Sequence, residues 1–161
     1  MLTKYQKLLV HNIKATVSRF DVKNSRTYNQ RELWENLNYS VNKTNSLHKD
    51  ILIRPIIIEI GDEGMYVCHN ETNSNIVLNT LISILKTFNI DIWTVTLNGQ
   101  ITISDLYKKH NNVRENSLFV FSFLFLNNRK RNFDKWFEYH SELDLNNYLS
   151  IIKQTHKTDT F

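Results

Sequence analysis

A thiol beside an imidazole is the first pairing in this sequence that could carry chemistry: Cys68 is followed at once by His69. Thiol catalysis needs a base that reaches the sulfur and holds it as thiolate. Neighbours on a strand point to opposite faces, so His69 cannot serve Cys68, and the pair reads as a buried structural cysteine next to a surface histidine. Glu59, Asp62, Glu63 and Glu71 form the one acidic group dense enough for metal-assisted phosphodiester cleavage, in which carboxylates hold divalent ions against water and phosphate. Asp62 and Glu63 fall in a predicted turn, where acids serve solvation and local hydrogen bonding. No lysine follows at D/E-x-K spacing.

His11, His48, His69, His110, His140 and His156 are scattered without zinc-ligand spacing. The three glycines, Gly61, Gly64 and Gly99, all sit in predicted hairpin turns, which excludes a phosphate-cradling loop of the P-loop or Rossmann type. There is no nucleophile elbow, kinase signature or HExxH. The expectation is a protein that is not an enzyme and holds no cofactor or metal.

Charge is the stronger signal. The net +4 conceals an asymmetry: residues 50–105 hold seven acids against Arg54 and Lys86, whereas residues 106–135 hold seven bases against Glu115 and Asp134. Residues 1–20 add Lys4, Lys7, Lys14 and Arg19 with no acid. Arg129-Lys130-Arg131 is the densest basic group and precedes Phe133, Trp136 and Phe137. Such a segment attracts phosphates through Coulombic attraction and counterion release, and exposed aromatic rings stack bases. The candidate nucleic-acid-binding residues are Arg129, Lys130, Arg131 and Lys135, assisted by Lys108, Lys109 and Arg114.

The elements that must position these residues follow from periodicity. Leu2, Tyr5, Leu9, Ile13, Val17 and Phe20 recur at three and four, which predicts an amphipathic helix over 1–20 with a solvated basic face. Residues 21–50 read as a long loop holding a short helix at 29–37 that buries Leu33, Trp34 and Leu37. A strand over 51–60, with Pro55 marking an edge or a bulge, turns through Gly61–Gly64 into a second strand at 65–69. Residues 74–88 are predicted to be a helix capped by Thr72 or Asn73.

Asn98-Gly99 predicts a second hairpin between 92–97 and 100–104, and a short basic helix follows at 105–112. The apolar run 118–126 reads as a central buried strand, with Phe119, Phe121, Phe123 and Phe125 in the core. Helical segments over 133–152 and a polar tail at 156–161 complete the chain. The whole is a single α+β domain: an antiparallel or mixed sheet of about five strands, two hairpins plus the buried strand, with helices packed on it.

Abundant Asn, Lys and Ile, with one alanine (Ala15) and one proline (Pro55), indicate an AT-rich genome such as that of a virus, phage or plasmid. A single cysteine allows no intrachain disulfide, and the longest apolar run is far shorter than the roughly 20 residues that span a bilayer. The protein is therefore expected in the cytoplasm. The leading functional reading is a small nucleic-acid-binding accessory protein, with DNA or RNA as partner. The alternative is a non-enzymatic inhibitor or adaptor that binds a host or replication protein, and the third is a divalent-metal nuclease.

Overall fold

A strand over Asn12–Val22 (β1) opens the architecture in the computed structural model, which describes residues 3, 4, 6, 11–104 and 117–130. A single 3₁₀ turn at Ser25–Thr27 leads to helix α1, Gln30–Leu47. Strands β2 (Leu52–Ile60) and β3 (Glu63–Cys68) follow as a hairpin, then helix α2 (Glu71–Thr87), strand β4 (Ile92–Thr102) and helix α3 (Ser117–Lys130). The sheet order is β2-β3-β1-β4 and every pairing is antiparallel. β1, α1, β2, β3, α2 and β4 therefore make the βαββαβ arrangement of ferredoxin-like folds. The fold is α+β, and among the described residues three helices pack on an antiparallel sheet of four strands rather than five.

The helix expected over 1–20 is, from Asn12 onward, the strand β1. The spacing misleads for a simple reason: Ile13 and Val17 are four apart, so they share a face in a helix and also in a strand of period two. β1 is central, paired with β3 on one side and β4 on the other, so both its faces are buried from Ala15 to Val22. Arg19, assigned from sequence to a solvated face, is 2% exposed.

The predicted loop over 21–50 is mostly α1. Asn29 caps it by accepting from the Glu32 backbone N–H at 3.1 Å. Its buried stripe is Leu33, Leu37, Ser40, Val41 and Thr44. Ser40 and Thr44 bury their hydroxyls by donating to the carbonyls of Asn36 and Ser40, both at 2.7 Å. Polar residues thus fill apolar-face positions, which hides the helix from hydropathy. Trp34, expected to be buried, is 52% exposed.

The hairpin at Gly61 forms as predicted, with Gly61 at φ 63°, and β2 is an edge strand whose register shifts around Pro55. The helix expected at 74–88 is α2, capped by Asn70 instead of Thr72 or Asn73. The Asn98-Gly99 hairpin does not form. β4 runs straight through both residues because β1 offers an unbroken partner along its whole length, Asn98 opposite Thr16 and Gly99 opposite Ala15.

The run 118–126 is helical, not a strand. Continuous apolar sequence suits either state when an element is covered on both sides. Here Ser122 donates back to the Phe119 carbonyl at 2.7 Å, and Leu118, Phe119, Phe121, Phe125 and Leu126 pack on Val17, Met65, Val67, Val95 and Leu97. The opposite sheet face, with Phe20, Tyr66 and Cys68, packs on α1 and α2. Among the described residues no helix is long and apolar enough to cross a membrane. The segments 105–112, 133–152 and 156–161 lie outside the described residues.

Candidate functional site

The basic residues put forward from sequence divide. Arg129 and Lys130 fall in the last turn of α3. Lys108, Lys109, Arg114, Arg131 and Lys135 lie outside the described residues. The sheet face that ferredoxin-like nucleic-acid binders of the RRM type leave open for stacking bases is covered here by α3.

Two other arginines, not among the candidate binding residues read from sequence, lie beneath that helix. Arg19 on β1 donates from Nη1 to Glu63 Oε1 at 3.0 Å, with Glu59 Oε2 at 3.5 Å, and from Nε to Ser122 Oγ at 3.1 Å. Its guanidinium lies 5.7 Å from the Phe123 ring centroid. Arg54 on β2 is 1% exposed and lies 5.7 Å from the Phe119 ring centroid. Phe119 and Phe123 are one helical turn apart, so each covers one cation and together they set the position of α3 on the sheet.

Three of the four carboxylates weighed for a metal site have other roles in this geometry. Glu59 and Glu63 face Arg19, and Glu71 accepts from Asn98 Nδ2 at 3.2 Å. Among the described residues no group of three or more His, Cys, Asp or Glu side chains is placed to hold a metal ion. Cys68 is fully buried, and burial pushes its thiol up to about 11, away from the thiolate form. His48 caps α1 and bonds Thr80 Oγ1 of α2 at 2.6 Å, tying the two helices together.

The feature that sequence reasoning missed is the outer surface of α1 and α2. The large hydrophobic side chains that stand exposed among the described residues are Trp34, Tyr39, Leu47 and Ile76, and all four belong to these two helices. Between the helices runs a groove of about 640 Å³, walled by Tyr39, Lys43 and Leu47 from α1 and by Asn79, Ser83 and Ile84 from α2. Phe88 closes one end, edge-on to Tyr39 with centroids 5.9 Å apart. Lys43 is the one charged residue lining it. The available signal was the spacing of Tyr39, Lys43 and Leu47 at i, i+4 and i+8, a second stripe on a segment read as loop. No family model matches this sequence, and no curated protein matches it.

Proposed function

We propose that this protein is a non-enzymatic protein-interaction module that seats one amphipathic helix of a partner in the groove between α1 and α2. The observation that carries this reading is the groove itself, whose α1 wall carries Tyr39 and Leu47, two of the exposed large hydrophobics among the described residues. Exposed apolar side chains lining a trough mark an interaction site, and a trough between two helices accepts a third by its i, i+3, i+4 anchors. Lys43 at the wall selects a helix with an acid among those anchors.

The test is site-specific photocrosslinking in cells. A photoreactive residue placed at Leu47 is expected to give a nuclease-resistant adduct with one protein, mapped to an acidic amphipathic segment, while the same residue at Gln100 on β4 does not. A synthetic peptide of that segment should bind the purified chain and lose at least tenfold in affinity on Leu47→Asp. Leu47 is 57% exposed, so that substitution should leave stability within about 0.5 kcal/mol. Equal adducts at both positions, or peptide binding that ignores Leu47→Asp, refutes the proposal. Crosslinks to nucleic acid, with salt-steep oligonucleotide binding lost on charge reversal at 129–131, would move the function to the basic run.

A further inference from the structure

A second concavity, on a different part of α1, carries chemistry of its own. Where the β2–β3 turn meets the start of α1 there is a cavity of about 160 Å³. Leu33 and Leu37 form its apolar floor, the exposed Trp34 its side, and Ser25, Gln30 and Asp62 its polar rim. Gln30 Nε2 donates to the carbonyls of Ser25 at 2.8 Å and Tyr28 at 3.0 Å. Both amide hydrogens are thereby used, so the group is held with its carbonyl oxygen as the acceptor end. The Ser25 hydroxyl bonds the Asp62 carboxyl group, but its buried Oδ2 atom has no hydrogen-bond partner among the described residues, although a buried carboxylate oxygen calls for a donor. Burial first, and charge repulsion from Asp21 on β1 second, raise the Asp62 pKa, and Asp21 is itself 6% exposed.

We infer that this cavity is a binding site for an alkyl ammonium group, the chemistry of a lysine side chain or of a small free amine. An ammonium presents three donors and accepts none. The rim offers a matching set of acceptors in the Asp62 carboxylate, the Gln30 carbonyl and the Ser25 hydroxyl. The Trp34 indole gives a cation–π wall, and the leucine floor takes a short methylene stem. A guanidinium, with five donors in a rigid plane, matches three converging acceptors less well. The site is separate from the groove between α1 and α2 and does not depend on it.

Asp62 also sets the pH dependence. The groups facing it are Asp21 from β1, Ser25 from the 3₁₀ turn, and Gln30 and Trp34 from α1; among the described residues no cation pairs with it. Its carboxyl is held above the usual value of 3.8 by burial first and by Asp21 second. An ammonium must displace that proton, so binding strengthens from pH 4 to pH 8.

The test is calorimetry with ligand-observed NMR on the full chain, using n-butylammonium, 1-butanol and a glycine-flanked single-lysine peptide. Saturable binding of butylammonium, with butanol at least tenfold weaker, is the expected result. Asp62→Asn should weaken the cation roughly ten- to hundredfold, the range of a hydrogen bond to a charged group. Trp34→Leu should weaken it by about two- to fivefold. Where Asp62→Asn fails to fold, Gln30→Leu, at an exposed position, replaces it and should weaken binding several-fold. Tighter binding of the peptide than of butylammonium places the ammonium on a macromolecular partner, and equal or weaker binding places it on a free amine. Butanol binding as well as the cation, affinity unchanged in folded Asp62→Asn, or no saturable binding at millimolar cation overturns the inference.

Discussion

Replacing Arg19 by methionine should destabilise the protein severely while adding no bulk. Arg19 is 2% exposed, and the Glu59 and Glu63 side chains facing it are each 12% exposed. All three are sheltered enough that solvent screening does little to reduce the interaction. The substitution removes the cation, its bond to Ser122 and its contact with the Phe123 ring, while the two carboxylates stay where they are. Deleting one partner of a buried ion pair costs about 3–5 kcal/mol. That is a large share of a domain stability on the order of 5–15 kcal/mol. With a urea m-value of about 2 kcal/mol/M, the midpoint should fall by about 2 M.

A second substitution separates charge from packing. Glu63→Gln added to Arg19→Met removes one of the facing charges and should recover part of the loss, with a coupling energy of about 1–3 kcal/mol in the double-mutant cycle. Arg19→Lys keeps the charge but loses the Nε bond to Ser122, and should fall between the parent and Arg19→Met. Urea unfolding followed by circular dichroism reads all five proteins: the parent, Arg19→Met, Glu63→Gln, the double variant and Arg19→Lys. A loss below about 1 kcal/mol for Arg19→Met is the surface-pair value. It would mean that α3 does not close over β1 as described here, and the reasoning would fail.

Two further outcomes test other parts of the fold. Gly64→Ala would place a Cβ 2.6 Å from Cε1 of the buried Phe20 ring opposite it in β1, so overpacking should cost about 1–3 kcal/mol, read as a drop in Tm of about 2–12 °C; an unchanged Tm would show that the ring has room to move. Asp62→Asn should be more stable than the parent at neutral pH, because a raised folded-state pKa makes the ionised form a burden on the fold. That burden vanishes once both states are protonated, so the advantage should shrink as pH falls through the raised value towards 3.8, and an advantage constant from pH 7.5 to pH 4 would contradict it.

The β2–β3 hairpin and α2 were legible in the sequence because local and tertiary preferences agree there. Gly61 supplies the positive φ the turn needs, and Val77, Leu81 and Leu85 keep helical spacing along one face. Elsewhere tertiary pairing overrode local signals. Asn98-Gly99 is a strong turn dipeptide, yet Thr16 Oγ1 bonds Asn98 Oδ1 at 2.7 Å within a continuous ladder. The stripe of α1 was invisible because Ser40 and Thr44 hold core positions that hydropathy scores as solvent. The groove was lost with it, since its α1 wall exists only if residues 39–47 are helical.

α3 bears most directly on function. Read as a strand, 118–126 would be a central element of the sheet, buried on both faces, with the basic run following at its end. As a helix, it covers one sheet face, with Phe119 and Phe123 over Arg54 and Arg19 and with Phe121 and Phe125 packed edge-to-face at 6.5 Å. Phe119, Phe121 and Phe125 are buried in the core, and Arg19 and Arg54 are buried beneath the helix. Burying Arg19 among the acids of the β2–β3 hairpin also accounts for part of the charge contrast between segments, since Glu59 and Glu63 answer a cation from the N-terminal stretch. With one sheet face closed by α3 and the other by α1 and α2, the exposed large hydrophobics among the described residues, Trp34, Tyr39, Leu47 and Ile76, all stand on α1 and α2.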